Sequence, residues 1–181
     1  MNSVKSVLRR ISPLSLTVFA VLADQITKFL VVKNIPLHGI GWSSPGELLR
    51  FIFVYNTGIA FSIGHDWPYW LRMFCFVVIP VMVIIAFLVY VIRPNPLTEL
   101  QRWALCGVCG GGFGNFIDRI FRPEGVVDFI DVKFFGIFGM ERWPTFNLAD
   151  SFVLVFGVIL VISFLMEDRK GKKSITEVKD E

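Results

Sequence analysis

The chain has 181 residues, 54% of them hydrophobic and only 18% charged, with a mean hydropathy of +0.63. A soluble domain carries about a quarter charged residues, so this composition points to a chain whose solvent is partly lipid. The net charge of +3 is small, and no basic face interleaved with aromatics appears, which argues against a nucleic-acid binder.

Length allows one domain. Four apolar segments stand out: Leu14 to Val32, Leu71 to Ile92, the glycine-rich Leu100 to Ile117, and Asn147 to Met166. Each is near the roughly 20 residues a helix needs to cross the hydrocarbon core. No repeating alternation suggests a barrel, so four transmembrane helices are expected. These make one domain over 1–166, followed by a polar, disordered tail over 167–181. The first segment also resembles a cleavable leader, because Lys5, Arg9 and Arg10 precede an apolar run. The apolar pattern resumes at Ile26 and continues to Val32, which favours a retained span.

Basic residues cluster at both termini and in the connection after the second segment: Lys5, Arg9, Arg10, Arg93, Arg102 and five more beyond Met166. An even number of spans puts all of these on one side, and the positive-inside rule makes that side cytoplasmic. The two outer connections, about 33–72 and 119–146, are long. The first contains a strand-like Phe51-Ile52-Phe53-Val54-Tyr55. Trp67, Tyr69 and Trp70 follow and suit the headgroup level, as an interfacial helix or belt.

Ionisable residues inside spans are expensive, so each needs a reason. Asp24 and Lys28 are four apart on one helix face, in the order that suits an ion pair, and read as a structural pair. Gly107/Gly111 and Gly110/Gly114 form two overlapping G-x-x-x-G patterns, which let helices approach closely. They leave Asn115, Asp118 and Arg119 unexplained. Asn147 and Asp150 share a face where the fourth segment begins, and fit an N-cap as well as a reactive site. Asp128 lies in the apolar, strand-like Val126 to Asp131, with Asp131 expected to face solvent. Two carboxylates in a low-dielectric site share a proton. One can then take a proton from water while the other polarises an amide carbonyl.

Other chemistries find little support. There is no H-E-x-x-H, G-x-S-x-G or phosphate loop. His38 and His65 are isolated, and neither Ser62 nor Ser151 has a lysine nearby in sequence for a Ser–Lys pair. Cys75, Cys106 and Cys109 sit in apolar runs and read as small packing residues. Neither metal nor cofactor is expected.

Taken together, Asp24-Gln25-x-x-Lys28, Asn56-Thr57-Gly58-Ile59-Ala60-Phe61, Gly114-Asn115-x-x-Asp118-Arg119, Val126-Val127-Asp128-Phe129 and Phe146-Asn147-x-Ala149-Asp150 resemble the successive motifs of bacterial lipoprotein signal peptidases, the type II signal peptidases. The resemblance runs from about Leu14 to Met166. It implies an intramembrane aspartic endopeptidase that removes signal peptides from diacylglyceryl-modified prolipoproteins, cutting just before the lipidated cysteine. It assigns catalysis to Asp128 and Asp150. Asn56, Gly58, Asn115, Arg119 and Asn147 become active-site support, with Asp24, Lys28 and Asp118 as further polar positions. It also implies a membrane all-α fold of four helices with an outer β-cradle and a short interfacial helix. The expected setting is the bacterial inner membrane, with both termini cytoplasmic and the site near the outer face; the expected partners are membrane lipid and the cyclic peptide globomycin. The connection from Ile120 to Gly125 is slightly longer than the family pattern. Two alternatives stand against the enzyme: a proton-coupled transporter with buried carboxylates, and a scaffold held by the glycine motifs.

Overall fold

The computed structural model describes residues 2–57 and 67–179. Helix α1 (Asn2–Ile11) is followed by α2 (Leu14–Asn34), strand β1 (Ile40–Ser43), a 3-10 turn (Pro45–Glu47) and β2 (Leu49–Asn56). A five-residue helix α3 (Tyr69–Met73) runs through a π-helical stretch (Phe74–Val78) into α4 (Ile79–Ile92). Then come α5 (Glu99–Phe121), β3 (Val126–Val132), a second 3-10 turn (Ile137–Gly139) and α6 (Leu148–Lys179). The aromatic cluster around Trp70 therefore opens the second long helix, and no separate interfacial helix is seen among the described residues. The π-helical stretch has a local cause. Pro80 has no N–H to donate and its ring crowds the carbonyl four residues back, so the register widens just before it.

Among the described residues, three helical stretches are long and apolar enough to cross a membrane: Val7–Asn34, Phe74–Ile92 and Leu148–Asp168. Helix α5 has 23 residues, about 34 Å at 1.5 Å per residue, yet glycines and polar ends lower its hydropathy. The reason is its place in the bundle. It packs against α2, α4 and α6 and buries Ala104, Leu105, Cys106, Cys109, Gly110 and Gly111, so it has less need of an apolar coat. The outward apolar side chains belong largely to its neighbours, such as Phe19, Leu22 and Phe29 on α2 and Leu154, Val161 and Leu165 on α6.

The glycine stripe is what brings the helices together. A methyl at Gly111 would fall 2.3 Å from the Ala149 carbonyl oxygen of α6, and one at Gly110 would fall 2.7 Å from Ala20 of α2. The start of α5 is fixed by a capping box: Thr98 Oγ1 accepts from Gln101 N, and Gln101 Oε1 accepts from Thr98 N at 2.9 Å. Past Met166, α6 stays helical to Lys179, where the sequence predicts a tail without order. No proline interrupts residues 167–179, and most of them are tolerable helix formers.

The two ends of the bundle differ. At one, Arg9 approaches Glu99 at 3.6 Å, Gln101 donates to Glu167 at 2.8 Å, and Arg102 donates to the Val91 and Asn95 carbonyls. The start of the chain, the α4–α5 connection and the far part of α6 thus meet. At the other end sits an antiparallel sheet in the order β1-β2-β3. Val54 pairs with Asp128, and Asn56 with Val126. Val31 of α2 packs with Phe53, Val127 and Phe129 to seat the sheet on the helices. Asp131 does not face solvent as expected. It is 2% exposed because Arg50 (2.6 Å) and Arg142 clamp its carboxylate from either side.

Candidate active site

The first turn of α6 explains the local arrangement. Asn147 is the N-cap: its Oδ1 accepts from Asp150 N at 3.0 Å, and Asp150 Oδ2 accepts from Asn147 N at 3.1 Å. This reciprocal pairing satisfies two amides that a helix start leaves open. A third amide, that of Ala149, donates to Asp24 Oδ1 of α2 at 3.0 Å. The capping reading of Asn147 and Asp150 is therefore correct, and it also delivers both side chains to the sheet.

From the sheet comes Asp128, 2% exposed. Its Oδ2 accepts from Asn56 Nδ2 at 2.9 Å and its Oδ1 from Asn147 Nδ2 at 2.7 Å. From α5 comes Asn115, whose Nδ2 donates to Asp150 Oδ1 at 2.7 Å and whose Oδ1 accepts from Asn147 Nδ2 at 2.9 Å. The two aspartates are thus joined through two carboxamides, Asp128 to Asn147 to Asn115 to Asp150. Burial, the largest effect, pushes the Asp128 carboxyl from its ordinary 3.8 up to about 7; the Asp150 charge adds to this, while hydrogen bonds from Asn56 and Asn147 pull the other way.

Beneath this frame lies a second layer. Lys28 is fully buried, with Asp24 at 2.8 Å, Asp118 at 2.9 Å and Asn115 Oδ1 at 2.9 Å. The i,i+4 pair expected on α2 is present, and Asp118 joins it as a second carboxylate. Asp118 also accepts from Arg122 Nε at 3.1 Å and from Val127 N at 3.1 Å, which ties α5 to β3. Gly114 makes room for the cluster, since a methyl there would fall 2.5 Å from Asp24 Oδ2. Arg119 lies close enough to Asp150, Asp128 and Asp118 for mutual attraction, and donates to the Asn115 carbonyl at 3.4 Å. Three cations (Lys28, Arg119, Arg122) face four carboxyls, so one proton held by Asp128 and Asp150 leaves the cluster neutral.

The structure brings together Asp24, Lys28, Asn56, Asn115, Asp118, Arg119, Asp128, Asn147 and Asp150; Gly58 lies outside the described residues. A cleft of about 210 Å³ opens beside them, lined by Asn56, Thr57, Met73, Phe76, Arg119 and Pro123. Two members of the network received no role from sequence, although Gln25 stands in the Asp24-Gln25-x-x-Lys28 motif. Gln25 spans Asp24, the Gly114 carbonyl and Asp118 with one amide, and Arg122 is one helical turn beyond Asp118. The second had a signal, the i,i+4 spacing of acid before base. Among the described residues no group of three or more His, Cys, Asp or Glu is set to hold a metal ion.

Known proteins are similar to this chain over most of its length. A lipoprotein signal peptidase of Treponema denticola is 48% identical over 161 residues, spanning 89% of this chain and 92% of that one. Another, of Treponema pallidum, is 43% identical across 87% of this chain and 85% of its own. A solved bacterial membrane enzyme superposes with a TM-score of 0.70 at 28% identity, covering 85% of this chain and 92% of that one. The family profile of signal peptidase (SPase) II matches residues 16–166, nearly all of the helical bundle and the sheet. With that match over most of its length, this chain belongs to the signal peptidase II family.

Proposed function

We propose that the protein is an intramembrane aspartic endopeptidase that removes signal peptides from diacylglyceryl-modified prolipoproteins, cutting before the lipidated cysteine. The relatives' name, lipoprotein signal peptidase, supports the substrate class. The observation that carries the chemistry is the pair of buried Asp128 and half-buried Asp150, bridged by amides.

In this mechanism Asp150 is the ionised member and draws a proton from a water molecule as the water attacks the scissile carbonyl. Asp128 is the protonated member and donates to the carbonyl oxygen. Collapse of the tetrahedral intermediate breaks the C–N bond as the proton taken by Asp150 passes to the leaving amine and one of the two hydroxyls returns a proton to Asp128, which restores the pair. Asn56 and Asn147 hold the Asp128 carboxyl, Asn115 holds that of Asp150, and Arg119 steadies negative charge at the cleft.

Helix α5 is the fourth span in this reading, coated by the other three. The end where Arg9, Arg10 and Arg102 gather is cytoplasmic by the positive-inside rule, which places the sheet and the dyad toward the outer face of the inner membrane. The transporter alternative gains no support, because the acids of the cluster gather at the sheet end of the bundle.

The test is cleavage of a diacylglyceryl-modified prolipoprotein by the purified protein in detergent, beside Asp128→Asn and Asp150→Asn. Both variants should fold and neither should cut. Turnover by either would remove that residue from the pair. Globomycin should block the parent protein in the same assay.

A further inference from the structure

A carboxamide can present either its oxygen or its NH2 to a neighbour, and the partner on its far side decides which. For Asn115 that partner is Lys28. An ammonium has three donors and no acceptor, and all three of Lys28's are used, by Asp24, Asp118 and Asn115 Oδ1. The Asn115 oxygen is thereby committed, and only its NH2 remains for Asp150 Oδ1, at 2.7 Å. Asn147 is fixed in the same manner by a donor that cannot reverse, the Asp150 backbone N–H on its Oδ1, which leaves its NH2 for Asp128.

We infer that Lys28 is a positioning residue for the reaction: by fixing the direction of the Asn115 amide it keeps a donor on Asp150 Oδ1 and so favours the ionised form of that carboxyl. This rests on the dyad reading above. The groups that bear on Asp150 are Asn115 and Arg119 from α5, Asn147 from its own helix start and Asp128 from β3. Lys28 bears on Asp150 through Asn115; its charge is shared at contact by Asp24 and Asp118 and also pulls the Asp128 carboxyl down, against burial.

The experiment is the pH dependence of prolipoprotein cleavage by the full chain in detergent, for Lys28→Met, Lys28→Arg and Asn115→Asp. Asn115→Asp keeps an acceptor for Lys28 but turns a second acceptor toward Asp150. Losing the aimed donor should move the acid limb of the profile up by about one pH unit. In Lys28→Met, kcat should also fall by about tenfold, with little change in KM. Lys28→Arg, which can still donate to Asn115, should retain most of the activity and keep the limb in place. A folded Lys28→Met with reduced kcat and an unmoved acid limb would overturn the inference and leave Lys28 a packing cation. Should Lys28→Met fail to fold, an unmoved limb in Asn115→Asp overturns it instead. Failure of the dyad reading is seen separately, as cleavage that survives in Asp128→Asn or Asp150→Asn.

Discussion

Two pairs of carboxylates lie at the sheet end of this bundle, all buried but the half-buried Asp150, and they are treated differently. Asp24 and Asp118 share an ammonium at 2.8 and 2.9 Å, and each also takes a backbone N–H. Asp128 and Asp150 take N–H groups from asparagines and from the backbone, and among the described residues no cation sits within ion-pair distance of either. The partners of a buried ion pair hold one another in place, because removing either strands what remains. A carboxylate framed by amides keeps its geometry while its proton stays negotiable. The first arrangement suits architecture and the second suits chemistry.

The largest test of this contrast is turnover. Asp128→Asn and Asp150→Asn should each lower cleavage by at least about a thousandfold, within the range for a lost general acid or base, as read by single-turnover assay. Next is stability in the other pair. Asp118→Ala leaves Lys28 with Asp24 alone and takes the acceptor from Arg122 and the Val127 amide, and should cost about 2–3 kcal/mol, read as a fall in the melting temperature in detergent; a variant as stable as the parent would erase the distinction. Gly111→Ala pushes a methyl against the Ala149 carbonyl just before Asp150. It should cost about 1–3 kcal/mol from overpacking and reduce cleavage by displacing the first turn of α6.

The pH response separates the pairs further. Asp128 has a folded value of about 7 against an ordinary 3.8, so its neutral form is the one that burial favours. Its contribution to stability is complete below about 3.8 and is lost as pH rises through about 7. As the acid of the pair it should give kcat/KM an alkaline limb near pH 7, absent if another group is the acid. The smallest effect is expected at the far end of β3. Arg142→Ala leaves Arg50 on Asp131 and should cost about 0.5–1 kcal/mol, with cleavage unchanged.

Much of this was legible in the sequence because it rests on local spacing. The Asp24–Lys28 pair follows from i,i+4 geometry, the close helix approach from G-x-x-x-G, and β2 and β3 from short apolar runs bounded by turns. What was not legible depends on distant partners. Asp131 looks exposed by its charge and is buried because Arg50 and Arg142, from two other stretches, converge on it. That Asp118 shares Lys28 with Asp24 required α2 and α5 to be laid side by side. The low hydropathy of α5 made sense only when its neighbours were seen to coat it, and the polar end of α6 carries too little apolar pattern to announce a helix.

The cap of α6 has a consequence for how the protein comes into being. Asn147 and Asp150 wind the first turn of the last helix and, in the proposed mechanism, complete the dyad in the same act. A growing chain that has placed α2, α5 and the sheet holds Asp128 without its partner. Only when α6 emerges and winds does Ala149 reach Asp24 and Asp150 reach Asn115. If the proposed pair is the catalytic one, the closing of the final helix and the completion of the site are one event.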